Sequence, residues 1–237
     1  DKIVTIDGED AFGEKVNNEY VASHLRGKKG TKVTLGIKRG KSDELIDYEV
    51  VRDKIPLNSI DAAFMLDKNV GYIKLDRFAQ TSNTEFEESL AKLKTQKMKS
   101  LILDLRGNTG GYLNIAAELS NQFLKKDMTI VYTEGDKSPK QIFNTDKNGK
   151  FTDGKLIILI DEGSASASEI VSGAVQDWDR GILIGRRSFG KGLVQRPFNL
   201  PDGSQVRLTT ARYYTPTGRC IQRSYEKGSE DYYNEMT

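Results

Sequence analysis

Apolar residues recur along this chain with different spacings, and the changes in spacing divide it into blocks. Residues 1–54 read as strand, helix, strand, strand. Lys2–Ile6 alternates well enough for a strand and ends on the turn signal Asp7-Gly8. Glu14–Leu25 puts Val16, Tyr20, Val21 and His24 on one helical face, and Gly27-Lys28-Lys29-Gly30 breaks that helix. Lys32–Lys38 and Ile46–Arg52 follow as strands on either side of the polar turn Arg39–Ser42. Pro56–Leu66, within residues 55–68, reads as a connector.

From Asn69 the rhythm becomes that of alternating strands and helices. Val70–Leu75 is a strand, and Asn83–Leu93 is a helix with Phe86, Leu90 and Leu93 at i, i+4 and i+7. Ser100–Leu105 is continuously apolar, as expected for a strand covered on both faces. Leu113–Leu124 is a helix, Met128–Thr133 a strand, and the polar stretch Glu134–Gly154 a surface hairpin or loop. Leu156–Ile160 is again a buried strand. A helix then runs from about Ser166 to Trp178 with an apolar stripe of Val171, Ala174, Val175 and Trp178. Gly181–Gly185, Gly192–Phe198 and Ser204–Tyr213 complete the strands, the last two joined by Pro201-Asp202-Gly203. This order predicts a layered α/β core over residues 69–220, followed by a charged tail, 221–237, without periodicity.

Composition removes several classes of function. Hydrophobic residues make up 37% and charged residues 30% of the 237 positions, the balance of a globular domain. With 36 basic and 34 acidic residues the net charge is +2, which gives no basis for a nucleic-acid partner. A single Cys, Cys220, forbids an internal disulfide, and a single His, His24, forbids a His-rich zinc site. No metal and no cofactor is expected. No apolar run reaches the roughly 18–20 residues that span a bilayer, and the N-terminus carries no signal-peptide pattern.

The chemistry concentrates where the strand Leu156–Ile160 gives way to the next helix, in Asp161-Glu-Gly-Ser-Ala-Ser-Ala-Ser-Glu169. Small residues admit a substrate backbone. A Ser in the first turn of a helix lies near unpaired N–H groups and the positive end of the dipole. A lone Ser there would be a helix cap, but three alternating with Ala exceed what a cap requires. Glu169 reads as a first-turn acid that complements the dipole. A nucleophilic Ser needs a base. Strand–helix–strand connectivity returns the chain to the same end of the sheet, so Lys191, in Ser188-Phe-Gly-Lys-Gly192, can reach Ser166. Burial would have to lower its pKa by roughly 2–3 units from that of an exposed lysine. A third cluster, Asp104-Leu-Arg-Gly-Asn-Thr-Gly-Gly111, follows another buried strand, and the N–H groups of such a turn can form an oxyanion hole.

These segments, together with Gln176-Asp177, Gly190-Lys-Gly-Leu-Val-Gln195 and Ala211-Arg-Tyr-Tyr-Thr-Pro-Thr-Gly218, resemble the C-terminal processing peptidases, or tail-specific proteases, over essentially the whole chain. The resemblance implies a serine endopeptidase acting on protein or peptide substrates. Ser166 would be its nucleophile, Lys191 its general base and Gln195 the residue that orients the lysine. The backbone N–H of Ala167 and that of Gly110 or Gly111 would form the oxyanion hole. It implies a crotonase- or ClpP-like α/β core preceded by a PDZ domain, of which residues 1–54 resemble the second half only, so the chain reads as a fragment with a shortened C-terminal segment. It also implies the bacterial periplasm or cell envelope, and leaves open self-association through the PDZ or terminal segments.

Rival readings are weaker on their own residues. Gly185-x4-Gly190-Lys191 imitates a nucleotide-binding P-loop, but Gly192 replaces the Ser or Thr and Pro197 follows where a helix should open, so no nucleotide is expected. Ser188-Phe-Gly-Lys191 fits Ser-x-x-Lys, yet neither Ser-Asp-Asn nor Lys-Thr-Gly occurs. A non-catalytic peptide-binding fragment and an acyl-CoA enzyme of crotonase type are the alternatives in other classes.

Overall fold

The computed structural model describes residues 1–13, 16–40, 42, 44–54, 57–225 and 228. The expected helix start at Glu14, Pro56 and most of the tail lie outside them. The chain divides into two compact units, Asp1–Leu57 and Asn58–Thr237.

The first unit holds β1 (Lys2–Ile6), β2 (Glu9–Asp10), α1 (Asn18–Leu25), β3 (Lys32–Lys38) and β4 (Leu45–Val51), with an antiparallel sheet in the order β2-β1-β3-β4. Asn17 caps α1 by accepting the Tyr20 N–H, which places the start of the helix. Its buried core among the described residues is Ile6, Ala11 and Val33, and every residue of β4 is exposed.

The second unit holds two sheets. β5 (Ile60–Asp67), β6 (Val70–Leu75), β7 (Ser100–Asp104), β10 (Lys155–Ile160) and β11 (Ile182–Gly185) form one, in the order β11-β10-β7-β6-β5. Its four strands from β6 to β11 are parallel, and β5 is an antiparallel edge. β8 (Thr129–Gly135), β9 (Ser138–Asn144), β12 (Leu193–Asn199) and β13 (Gln205–Tyr214) form the second, antiparallel sheet, in the order β12-β13-β8-β9. The helices are α2 (Ser82–Thr95), α3 (Leu113–Asn121) and α4 (Ala167–Asp177). The apolar rows read from the sequence are the buried ones: Phe86, Leu90 and Leu93 on α2; Val171, Ala174 and Val175 on α4; Leu101, Leu103, Leu156 and Ile158 on the central strands. Trp178, at the end of the α4 stripe, remains 42% exposed.

One expectation is corrected. Residues 60–67 are not a connector but the edge strand β5, paired with β6 through two register shifts. Asp61 and the two Ala residues blur its alternation, and an edge strand buries too little to demand an apolar run. Glu134–Gly154 takes the hairpin alternative, with β9 folded back on β8.

Candidate active site

Every parallel strand of the central sheet points its C-terminal end the same way, so the turns after β7 and β10 meet there, as ligand-binding turns do in open α/β sheets. Buried Asn108 ties the two turns together. Its Nδ2 donates to Leu75 O (2.8 Å) and its Oδ1 accepts from Gly110 N (2.9 Å), while its carbonyl accepts from Ala165 N (3.0 Å) and Ser168 Oγ (2.8 Å). Asp161 adds a second tie, accepting from Gly107 N (2.9 Å) and Gly163 N (3.0 Å) through Oδ1.

The three serines separate sharply. Ser164 is buried and donates to Leu105 O (2.8 Å), and buried Ser168 donates to Asn108 O. Both hydroxyls hold the turn together. Ser166, only half-buried, stands at the N-cap of α4 with φ 56° and ψ −109°, a backbone region that side chains rarely adopt. The neighbours fix it there. Ser166 N donates to Glu169 Oε2 (2.8 Å), and Ser166 O accepts from Glu169 N and Ile170 N.

Gly110 and Gly111 press against this residue. A Cβ at Gly110 would stand 2.9 Å from Ser166 Cβ and 2.9 Å from Ala167 N, so only glycine allows the approach. The N–H of Gly110 is spent on Asn108, whereas those of Gly111 and Ala167 have no hydrogen-bond partner among the described residues. Gly111 is held by bonds on both sides of it, Phe78 N to Gly110 O and Tyr112 N to Phe78 O. Of the two glycines considered, Gly111 is therefore the one with a donor to give.

Lys191 lies in the loop after β11, and Gly192 follows it immediately before β12. Its side chain is exposed, and its Nζ makes no hydrogen bond to Ser166 Oγ among the described residues. Its main chain is nevertheless fixed to the serine. Lys191 N donates to Glu169 Oε2 (2.9 Å), the same oxygen that Ser166 N uses. Oε1 of the same carboxylate accepts from Gly190 N (2.6 Å) and Ser188 Oγ (2.7 Å). Glu169 is 5% exposed and forms no ion pair among the described residues, so four N–H and O–H donors and the helix N-terminus carry its charge. From behind, Arg223 N bonds Gly190 O (3.0 Å) and Gln222 Oε1 accepts from Gly192 N (3.0 Å). Gln195 lies on β12 opposite Thr209, one residue past a register shift, and is exposed. A largely apolar depression of about 430 Å³ is lined by Thr109, Glu162, Gly163, Ala165, Phe189 and Lys191.

The central position of Glu169 was missed by reading it as a dipole acid alone. The signal was present, because Ser166-x-x-Glu169 has the spacing of a capping box, in which the acid turns back to the cap N–H. Beside the site, Asp104 is 1% exposed. Burial pushes its pKa up, but hydrogen bonds from Arg106 and Tyr72 outweigh this and bring it down to about 2. His24 is occupied elsewhere: its Nδ1 lies 2.8 Å from Tyr20 O and its ring stacks on Tyr20.

Comparison with known proteins agrees with this architecture. Residues 69–229 match the model of peptidase family S41, and the chain belongs to that family. It is 39% identical over 226 residues to a carboxyl-terminal-processing protease of Picosynechococcus sp., covering 94% of this chain and 53% of that protein. It is 37% identical over 223 residues to the carboxy-terminal processing protease CtpA of Bacillus subtilis, covering 94% of this chain and 47% of that one. The chain thus spans about half the length of the curated relatives it matches. A solved photosystem II D1 C-terminal processing protease superimposes with a TM-score of 0.64 at 29% identity, over 93% of this chain and 60% of that one. No helix among the described residues is long and apolar enough to cross a membrane.

Proposed function

We propose that this chain carries the peptidase site of a carboxyl-terminal processing protease, a serine endopeptidase that cleaves protein or peptide substrates near their C-termini. Ser166 is the nucleophile. Neutral Lys191 takes the Ser166 proton as Oγ attacks the scissile carbonyl, and returns it to the leaving amine. Water then repeats the cycle on the acyl-enzyme. The N–H groups of Ala167 and Gly111 receive the oxyanion, and their lack of other partners among the described residues suits them to it. Gln195 orients the Lys191 amine once substrate brings the side chains within hydrogen-bond reach. The apolar depression beside Lys191 takes a substrate side chain.

The observation that carries this reading is the single carboxylate oxygen that accepts from both Ser166 N and Lys191 N, with Ser164 and Ser168 spent on structural bonds. We further propose that the unit Asp1–Leu57 is part of a PDZ domain, and that the protein works in the bacterial cell envelope, on the strength of the family resemblance. A fluorophosphonate probe on the full chain tests the catalytic reading. Labelling should fall on Ser166 and vanish in Ser166→Ala and Lys191→Arg, while Ser164→Ala and Ser168→Ala retain it. Labelling at another residue, or an active Lys191→Arg variant, would sink the assignment.

A further inference from the structure

We infer that Glu169 is a positioning residue that keeps Lys191 in register with Ser166 by clasping the lysine loop to the first turn of α4; this rests on the Ser166–Lys191 reading above. The two loops come from different strands, β10 and β11. They are joined by one backbone bond, Phe189 N to Ser164 O (3.0 Å), by the exposed Arg186–Glu162 ion pair, and, at Ser166 and Lys191 themselves, by one buried side chain, that of Glu169. Its Oε2 accepts from Ser166 N and Lys191 N, and its Oε1 accepts from Gly190 N and Ser188 Oγ. Three of the four donors are main-chain N–H groups, so the carboxylate fixes the backbone from which Lys191 projects. The lysine side chain itself is exposed and, among the described residues, makes no bond that would hold it to Ser166.

A helix-dipole role would need only a negative charge near the first turn, open to water. Glu169 is instead buried, with both oxygens doubly occupied. Four acceptor sites are what a carboxylate offers and an amide does not. A Gln in this place presents its NH2 to two of the donors, so one pair is lost whichever way the amide turns. Ser188 then has a role other than the one its Ser-x-x-Lys spacing suggests: its hydroxyl completes the clasp from the loop side.

The test is the time course of fluorophosphonate labelling of Ser166 in the full chain, read as a rate and a final extent, together with kcat and KM for a peptide substrate. Glu169→Gln should slow labelling and lower kcat by about 30- to 100-fold, the scale of an angstrom-sized misplacement. KM should change less than about threefold and the final labelled fraction should stay near that of the parent. Ser188→Ala, which leaves the three backbone bonds in place, should slow labelling by about 3- to 10-fold and keeps the question answerable if Glu169→Gln does not fold. A reduced labelled fraction with a normal rate per labelled site would mean that Glu169 only supports the fold, and would overturn the inference. Parent-like rates in Glu169→Gln, or in Ser188→Ala where the first variant is unfolded, would overturn it too. In those cases labelling of the parent at Ser166 and its loss in Lys191→Arg would leave the dyad standing. If the parent is not labelled at Ser166, the dyad reading fails and the clasp falls with it.

Discussion

The Ser166 turn and the Lys191 loop lie side by side but are built differently. The serine turn is fixed many times over. Asn108, Asp161, Ser164 and Ser168 all bond across it, Gly110 packs against it, and its flanking residues Ala165 and Ala167 are buried. The lysine loop is held by the Glu169 carboxylate and the Phe189 N to Ser164 O bond in front and by bonds from residues 222–223 behind, and the side chain proposed as the base is exposed. A nucleophile must be held still, with its oxyanion donors, before substrate arrives. A base that takes a proton and then passes it to the leaving group can be completed by the substrate that covers it. Changes that push the backbone of the first region out of place should therefore cost stability and activity together, loss of one of its redundant ties, as in Ser164→Ala or Ser168→Ala, should cost stability alone, and changes in the second region should cost activity alone.

The sharpest break is Lys191→Ala. Removing a general base costs on the order of 10³-fold or more in kcat, roughly 4 kcal/mol of barrier. Because the side chain is exposed and makes no bond among the described residues, Tm should move by less than about 1 °C. A fall in Tm of several degrees by calorimetry would show that the lysine has a packing role and erase the contrast.

Gly110→Ala is the counterpart on the serine side. The added Cβ meets Ala165 O at 2.7 Å and Ala167 N and Ser166 Cβ at 2.9 Å, at φ +103°. Two of these atoms are backbone and cannot step aside cheaply, so about 2–3 kcal/mol of stability should go. Labelling of Ser166 should fall with it. Denaturant unfolding and the probe assay should move together, and normal stability with lost labelling would mean that the turn yields locally.

Arg106→Ala tests the support beneath that turn. Asp104 has its pKa held at about 2 in the folded chain, against about 3.9 when unfolded. A depressed carboxylate contributes stability that is fully present above its unfolded value and is lost as pH falls toward about 2. Removing the guanidinium leaves Tyr72 and the Arg106 N–H as partners. Since Arg106 is itself 53% exposed, the loss at pH 7 should be about 1–2 kcal/mol. The gap between variant and parent should close as pH is lowered from about 4 to 2. A gap that stays constant across that range would show that the pair is not what lowers Asp104.

What was legible in the sequence follows the same division. The rows Phe86, Leu90, Leu93 and Leu101, Leu103 could be read because burial against one core imposes a period. The turn after Leu156–Ile160 could be read because its Gly, Ala and Ser residues are too small to be packing choices. β5 could not, because an edge strand paired on one side leaves its exposed positions free of any period. The tie between Glu169 and the lysine loop was also hidden, since it links residues 19 to 22 positions apart through one hydroxyl and two backbone donors, a spacing no side-chain pattern encodes. Likewise the choice of Gly111 over Gly110 as a donor depends on where the Asn108 side chain turns, which spacing alone does not fix.

The smallest effect is the most specific to the serine turn. Ser166 holds φ 56° and ψ −109°, which costs a residue with a Cβ about 1–3 kcal/mol relative to an unstrained conformation. Glycine adopts such angles freely, at an entropic cost of about 0.5–1 kcal/mol on folding. Ser166→Gly and Ser166→Ala both delete the hydroxyl, and both should be inactive. Only glycine relieves the backbone. Ser166→Gly should therefore be the more stable of the two by about 1 kcal/mol, a Tm difference of about 2–4 °C for a unit of this size. The comparison between the two variants cancels the loss of the hydroxyl and isolates the conformation. Equal melting temperatures, or a higher one for Ser166→Ala, would mean that the turn carries no strain, and that its bonds to Glu169 and Asn108 are not needed to hold the serine in place.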